Sequence, residues 1–408
     1  MHPGHLKLAL AVHGLRLHPS VAGRQDLLRP RFARAMPARA VNLVLADDTR
    51  VAVPVDAPST VGSPYALVAD GGRFFVVEGD DLRADGRMEV RPVPPPRFYE
   101  RRTSRDTPMW RIATVEGNHV LVSLAGGCGF SVRGAPCRFC VEGARSSADL
   151  DSIAPVADVV EVVRAAFDEG AAEFVYFNSG NYDPEDGGIA ALEPCIEAVR
   201  KHFDTLVAVQ AHPPRTDRWV DRAYAVGVDA LSYNLEIFGA EMLGRHCIGR
   251  QRYIGRERYL EALGYAARIF PSGTVWSELV AGLEPAASTI AGIDALSGMG
   301  VVPVVTIPHA VGEGPHIAAD LDAVGPVLEH LYRAVKQQRI NMGWVRDLAA
   351  GITPLEARWF AGDHARIAMT VQQLTRSRLG ALAARGLARF RRRMRVRPTD
   401  EASDASHE

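Results

Sequence analysis

The feature that most limits the possible folds is a regular alternation of strand-like and helix-like stretches between residues 119 and 308. Short apolar runs rich in β-branched residues recur roughly every 30 residues, and amphipathic stretches such as 156–168 separate them. This alternation predicts parallel strands joined by right-handed crossovers, with functional side chains at the carboxyl ends of the strands. The predicted strands are residues 119–125, 173–177, 205–210, 230–236, 273–281 and 301–307.

Three of the five cysteines cluster on one loop directly after the first predicted strand. Cys128, Cys137 and Cys140 lie in G-G-C-G-F-S-V-R-G-A-P-C-R-F-C, and glycine-rich chain bends at little cost. Thiolates this close together can converge on one metal centre, and a C-x2-C pair usually signals metal or redox chemistry in an intracellular protein. The alternatives are three separately buried thiols or a zinc knuckle without its fourth ligand.

The cysteine loop and the βα units that follow it resemble the radical S-adenosylmethionine (radical SAM) superfamily. In that superfamily three cysteines hold a [4Fe-4S] cluster beside a βα barrel, and an aromatic residue such as Phe139 precedes the third cysteine. The common motif has three residues between its first two cysteines, whereas this chain has eight. The resemblance implies an α/β fold, a partial (β/α)6 TIM-like barrel, with Cys128, Cys137 and Cys140 as cluster ligands.

Within the superfamily, the chain is most similar to the biotin synthase-like branch and, inside it, to the radical SAM proteins of nitrilase-associated gene clusters. The similarity rests on S-P-Y at 63–65, on R-F-Y at 97–99 with Thr103 and Pro108, on the cysteine loop and on the barrel. It also rests on S-Y-N-L-E-I-F at the fourth strand and on the E-R pair in the next helix.

The same resemblance implies a SAM site built from the strand ends. A polar turn after the second strand would bind the amino group, Asn234 and Glu236 the ribose or amino end, and Arg258 the carboxylate. A carboxylate inside a parallel sheet is costly without a partner, so the alternative is an internal pair between Glu236 and Arg256 or Arg258. The implied SAM-binding residues are Asn178, Ser179, Gly180, Asn234, Glu236, Arg258 and Gly282.

Other strand ends supply candidates for contact with a substrate. Glu278 lies in the fifth predicted strand, where the resembled branch tends to have a small residue, and His309 follows the sixth strand. Solvent exposure is the alternative for His309. His212 and Arg215 follow the third strand, although a lone histidine is more often structural than catalytic.

Outside the barrel the sequence predicts smaller units. Residues 1–100 form a small β-rich amino-terminal domain, 101–315 the barrel, 316–397 a helical extension and 398–408 a disordered acidic tail. β-type runs are predicted at 41–45, 51–55 and 74–77, a loop at 63–65 and a linker at 92–99. Nine arginines and no acidic residue lie between residues 376 and 397, a pattern that favours a solvated helical face, with binding of nucleic acid or of an acidic partner protein as the alternatives.

Composition excludes several classes of protein. With a formal net charge of −1, a chain built mainly to neutralise phosphates is not expected, and nucleic acid is an improbable partner. No run reaches the roughly 18 apolar residues of a membrane span, so no membrane partner is expected. Clustered cysteines and the lack of a signal-peptide pattern favour the cytoplasm.

The sequence therefore predicts an enzyme that cleaves SAM reductively and uses the 5′-deoxyadenosyl radical to abstract hydrogen from a small-molecule substrate. The resemblance implies an external electron donor of the flavodoxin or ferredoxin type. The alternatives are a structural metal-binding interaction module and an iron–sulfur electron-transfer protein. Only Cys195 and Cys247 remain for a second cluster, and their separation predicts that there is none.

Overall fold

Two seven-stranded sheets organise the part of the chain that the structure describes. The structure is a computed structural model. The residues described are 1–29, 39–55, 60–79, 86–124, 128–140, 154–180, 183–308, 324–345, 348–349, 351–363 and 378–394.

The amino-terminal sheet is built mainly from antiparallel pairs, and helix α1 (Pro3–His13) packs its leucines against it. Its strand order is β1-β5-β6-β7-β3-β2, and β4 pairs with β3. The three predicted β-type runs are confirmed. The predicted loop at 63–65 and the predicted linker at 92–99 are each wrong at one end. The last residue of the loop belongs to β5, and the first two residues of the linker belong to β7. The strands are β1 (Arg16–Leu17), β2 (Leu28–Arg29), β3 (Ala40–Val44), β4 (Arg50–Pro54), β5 (Tyr65–Asp70), β6 (Arg73–Glu78) and β7 (Met88–Val93).

The second sheet contains the predicted parallel strands in sequential order. They are β9 (His119–Ser123), β10 (Phe174–Asn178), β11 (Val207–Ala211), β12 (Ala230–Tyr233), β13 (Val275–Val280) and β14 (Val302–Thr306), and β8 (Ala113–Glu116) adds an antiparallel edge beside β9. Each strand is parallel to the next. An order that never reverses is that of a barrel or part of one, whereas a doubly wound sheet reverses at a switch point.

Helices fill the connections between these strands. They are α2 (Met109–Ile112), α3 (Gly129–Val132), α4 (Val156–Asp168), α5 (Ile189–His202), α6 (Arg218–Val226), α7 (Ala240–His246), α8 (Ile248–Tyr253), α9 (Arg256–Ile269) and α10 (Ala286–Gly298). Because parallel strands are covered on both faces, their side chains are buried almost without interruption, as in β12, where all four residues are buried.

One predicted strand is too long, and the difference shapes the site. Residues 230–236 were expected in one strand, but β12 ends at Tyr233, and three residues later Glu236 takes a left-handed backbone with φ of 72°. The chain still pairs with its neighbour, since the Glu236 N–H donates to the Glu278 carbonyl over 2.8 Å. A non-glycine residue in this conformation costs energy that the surrounding structure must offset.

Among the described residues of the carboxyl-terminal part lie the helices α11 (Val324–Gln337), α12 (Pro354–Ala357) and α13 (Arg378–Arg393). They fall within residues 316–397, for which the sequence predicts a helical extension. The two ends of the chain meet in a buried ion pair, because Lys7 of α1 reaches Glu356 of α12 over 3.3 Å. The Lys7 ammonium also donates to the Leu348 carbonyl over 3.1 Å.

Replacing Lys7 with methionine should lower the free energy of unfolding by about 3–5 kcal/mol, since the Glu356 carboxylate stays buried without its countercharge. The solvent-exposed Lys336 gives a matched control through its pair with Asp363, and Lys336→Met should cost much less, since solvent screens an exposed pair. Urea denaturation measures both, and equal losses in the two variants would contradict the expected role of burial.

Candidate active site at the carboxyl ends of the strands

The cysteine loop is attached to the carboxyl end of the parallel sheet at two places. Cys128 caps helix α3, and the next amide, Gly129 N–H, donates to the Gly180 carbonyl just after β10 over 3.0 Å. Cys137 forms an isolated antiparallel bridge with Cys247, between α7 and α8, where the Arg138 N–H donates to the His246 carbonyl over 2.9 Å. The loop therefore lies over strands β10 and β12.

A glycine permits the second attachment. A Cβ at Gly249 would lie 2.6 Å from the Ala135 carbonyl oxygen and 2.7 Å from the Phe130 side chain. The Gly249 N–H donates to the same carbonyl over 3.0 Å. Any larger residue would push α8 away from the loop and separate Cys137 from Cys247.

Arg250, one turn beyond Cys247, is the centre of the polar contacts below the loop. Its guanidinium donates to the Tyr259 hydroxyl over 2.8 Å, to the Glu236 carboxylate over 3.1 Å and to the Asn234 carbonyl. The side chain is about 10% exposed, as is that of Glu236 at 12%. The Glu236 carboxylate, which the sequence analysis assigned to SAM binding, therefore already faces the buried guanidinium of Arg250.

The buried guanidinium of Arg250 faces several acidic groups. Contact with the Cys247 thiol, together with Arg250, lowers the pKa of Cys137 to about 6, so this sulfur is a thiolate at neutral pH. Burial raises the pKa of Glu236 to about 8, against the pull of Arg250, and burial raises that of Glu278 to about 7. Burial also raises the pKa of Cys247, the thiol that donates to Cys137. The site can thus accept further positive charge.

The donor chemistry of the loop suits a soft metal centre. Cys137 is already a thiolate, the form that ligates metal, whereas burial raises the pKa of Cys128. Cys140 is part-buried, and its N–H donates to the Cys137 carbonyl over 3.3 Å. In the described residues no three His, Cys, Asp or Glu side chains are grouped closely enough to hold a metal ion. The three sulfur atoms lie on one loop, but they must move closer together before they can ligate one metal centre.

The polar turn after β10 is joined to the cysteine loop. The Asn178 side chain accepts from the Gly180 N–H over 3.0 Å, which closes the turn, and Gly180 has a φ of 57°. Ser179 is buried, and its N–H donates to the Gln210 carbonyl over 3.0 Å. These three residues, implied by resemblance to bind SAM, therefore lie beside Cys128.

Arg258 is directed elsewhere. It donates to the Asp217 carboxylate over 2.6 Å and to the Pro214 carbonyl over 2.8 Å, so it caps the region before α6. Arg256 pairs with Glu257. The alternative in which Glu236 pairs with Arg256 or Arg258 is therefore wrong about the partner, which is Arg250. Sequence analysis missed Arg250 because it is one of several arginines between residues 245 and 258, and no motif distinguishes it.

The remaining predicted residues are distributed around this centre. Glu278 is on β13, and its N–H donates to the Asn234 side chain over 3.3 Å. Gly282 follows β13 with a φ of 87°. His212 is part-buried against the Phe130 ring at 4.7 Å between centroids, and desolvation lowers its pKa well below the usual value, which favours the neutral imidazole. His309 lies outside the described residues.

A second concave feature lies at the other end of the sheet. A cavity of about 380 Å³ separates the two sheets and is lined by Arg50, Arg91, Asn118 and Glu173, among others. Asn118 and Glu173 precede β9 and β10, so this cavity is at the amino ends of the strands. It is remote from the cysteines.

The fold and site define an α/β protein with a sequential parallel sheet and a thiol-rich loop over its carboxyl end. Neither the models of known protein families nor the sequences of curated proteins give a match. Among the described residues, no helix is long and apolar enough to cross a membrane.

Comparison with solved structures finds distant similarity. Methylornithine synthase (PylB) is 13% identical, with a TM-score of 0.42, over 55% of this chain and 63% of its own. HydG, a maturase of the [FeFe]-hydrogenase, is 16% identical, with a TM-score of 0.42, over 59% and 57%. A radical SAM methyltransferase from Sphaerobacter thermophilus is 14% identical, with a TM-score of 0.41, over 71% and 81%. The chain thus spans less than two thirds of the length of the first two proteins.

Proposed function

We propose that this protein is a radical SAM enzyme that acts on a small-molecule substrate. The observation that carries the proposal is the placement of a three-cysteine loop directly above a cluster of the buried Arg250 and the part-buried Glu236 and Glu278. Both lie at the carboxyl ends of parallel strands, where barrel enzymes bind their ligands. A structural metal site needs no such acidic cluster below it.

Cys128, Cys137 and Cys140 are the residues that would hold a [4Fe-4S] cluster. When bound, such a cluster supplies the electron for reductive cleavage of the SAM carbon–sulfur bond. The Cys247 thiol, together with Arg250, lowers the pKa of Cys137 and so favours the thiolate that would ligate the cluster. An external flavodoxin- or ferredoxin-type donor is part of the proposal.

The acidic side chains below the loop supply the contacts for a cationic ligand. SAM carries a sulfonium and an ammonium group, and Glu236 and Glu278 are carboxyl groups held partly protonated by burial. Cation binding would favour their ionised forms. The polar turn Asn178–Ser179–Gly180 lies next to Cys128 and would border the same ligand. Arg258 would have to leave Asp217 to reach it, so its assignment is the weakest part of the proposed SAM site.

Anaerobic reconstitution with iron and sulfide tests the function. The protein should bind about four iron and four sulfide per chain and release 5′-deoxyadenosine from SAM under reducing conditions. Cys137→Ser should abolish both, whereas Cys195→Ser, on α5, should change neither. Colourless protein with bound zinc would support the metal-binding module instead. A bound cluster without SAM cleavage would support electron transfer, and iron near eight per chain would contradict a single cluster.

SAM binding to the reconstituted protein should release protons near neutral pH. The pKa values of about 8 for Glu236 and about 7 for Glu278 fall when a cation binds, so protons leave between roughly pH 5 and 8. Calorimetry in buffers of different ionisation enthalpy measures the release. Glu236→Gln should reduce it, and Glu193→Gln, on the outer helix α5, is the matched control. Binding heats independent of the buffer would place SAM away from these carboxyls.

A further inference from the structure

The basic helix α13 turns its charged side toward the barrel. Arg392 bonds both oxygens of Asp229 over 2.8 Å, and Arg389 pairs with Asp204. Asp204 and Asp229 precede β11 and β12, so the helix covers the amino ends of the strands, at the end opposite to the cysteine loop. Arg392 is only 17% exposed, which shows that this contact is partly desolvated.

The opposite side of α13 is apolar and faces outward. Leu387, Phe390 and Met394 are 51%, 62% and 69% exposed, and their i, i+3, i+7 spacing places them on one side of the helix. A helix that packs on a globular protein normally buries its apolar side and exposes its charges. In α13 this arrangement is reversed. We name this set of three residues the outer stripe.

Arginines flank the outer stripe on both sides. At roughly 100° per residue, Arg391 lies beside Met394 on one side and Arg393 beside Phe390 on the other. No acidic residue occurs between residues 376 and 397, and Arg395 and Arg397 follow in the sequence. The surface that meets this helix must therefore accept an apolar ridge and neutralise cations along both of its edges.

We infer that the outer stripe docks the protein on an anionic lipid surface. Acyl chains would accept Leu387, Phe390 and Met394, and anionic headgroups at the same level would meet Arg391 and Arg393. Nucleic acid would satisfy the arginines but would leave the most outward residues, which are apolar, against phosphate. An anionic bilayer surface accommodates both the apolar side chains of the stripe and the arginines beside it.

The inference concerns attachment to the surface of a membrane, which needs no spanning helix, and it does not rest on the proposed enzymatic function. It also fixes an orientation. Because α13 covers the amino ends of the strands, the cysteine loop at their carboxyl ends would open away from the lipid. From the sequence, no membrane partner is expected because the chain has no long apolar run. A helix that lies on the membrane surface needs no such run.

Co-sedimentation of the full chain with vesicles tests the inference. Binding should be at least about tenfold stronger to vesicles of phosphatidylcholine with phosphatidylglycerol than to phosphatidylcholine alone, and salt should weaken it. The triple variant Leu387→Ser, Phe390→Ser and Met394→Ser should lose about tenfold or more in affinity. Leu382→Ser is the control, since Leu382 is 58% exposed on the same helix but lies off the stripe.

Thermal unfolding of the variants should show that they remain folded, because among the described residues the outer stripe packs against none of the hydrophobic cores. Equal binding to neutral and anionic vesicles, or triple-variant binding equal to that of wild type, would overturn the inference. Duplex DNA binding without vesicle binding would overturn it in favour of nucleic acid. Self-association in sedimentation velocity that the triple variant abolishes, without vesicle binding, would show that a second copy covers the stripe.

Discussion

Arg250→Met should weaken the fold by about 3–5 kcal/mol and return the Cys137 pKa from about 6 toward the ordinary thiol value of 9.0. The side chain is buried, and its three hydrogen-bond partners, Tyr259, Glu236 and Asn234, would lose their donor together. No other described basic side chain bonds Glu236.

The loss should grow with pH. In the wild type, the Cys137 pKa is depressed, so its stabilising contribution is fully present above pH 9.0 and is lost as pH falls through about 6. The Glu236 pKa is raised from 4.5 to about 8, so its neutral form favours folding at low pH and that contribution is lost as pH rises through about 8. Removing Arg250 diminishes the first contribution, since only the Cys247 contact then lowers the Cys137 pKa, and it raises the Glu236 pKa further. Both changes lower the free energy of unfolding of the variant most at alkaline pH.

Urea denaturation at about pH 6 and about pH 9 measures the stability, and the ultraviolet absorbance of the thiolate follows the Cys137 pKa. Arg252→Met gives a matched control, because Arg252 is exposed on the same short helix. Arg250→Lys retains the charge and should keep a depressed Cys137 pKa while losing part of the stability. A pH-independent loss equal to that of Arg252→Met would contradict the central role of Arg250.

The strands were predictable from the sequence because their signal is local. Each parallel strand is a short apolar run rich in β-branched residues, and its neighbours in the sheet are its neighbours in the chain. The cysteine loop was predictable for the same reason, since Cys128, Cys137 and Cys140 are close in sequence. Their common position above the strand ends then follows from the topology of a parallel sheet.

The contacts inside the site were not predictable, because they depend on backbone geometry that carries no sequence signal. Glu236 faces Arg250 from a left-handed backbone position just beyond β12, and no residue pattern in this stretch indicates that conformation. The meeting of Cys247 with Cys137 depends on a close approach at Gly249, one of 37 glycines in the chain. The inward-facing arginines of α13 similarly depend on Asp204 and Asp229, more than 150 residues away in sequence.

A second large effect should follow oxidation of the metal-free protein, which should link Cys137 to Cys247. The two residues are directly opposite in an antiparallel bridge, and the bond from Arg138 N–H to the His246 carbonyl identifies them as a non-hydrogen-bonded pair. Cα atoms in such a pair are about 4.5 Å apart, within the range that a disulfide spans. Cys137 is the thiolate and Cys247 the protonated thiol beside it.

The expected chemistry is two-electron oxidation by hydrogen peroxide. The Cys137 thiolate attacks the peroxide and becomes a sulfenic acid, and the Cys247 sulfur then displaces water to form the disulfide. In total, the two thiols give up two electrons and two protons, and the peroxide is reduced to two molecules of water. Peptide mapping without reduction should find the linked peptides containing Cys137 and Cys247.

The disulfide should prevent reconstitution, since it removes Cys137 from the proposed ligand set. Peroxide-treated protein should take up less than about a tenth of the iron bound by reduced protein, and thioredoxin or dithiothreitol should restore uptake. Cys247→Ser should remove the linkage and leave Cys137 open to irreversible oxidation, whereas Cys195→Ser should behave as wild type, because Cys195 is buried on α5 and burial raises its pKa to about 11. A disulfide between Cys137 and either Cys128 or Cys140 would contradict this prediction. It would show that the two linked loop sulfurs approach each other more closely than Cys137 approaches Cys247, as in a loop already closed toward a common metal centre.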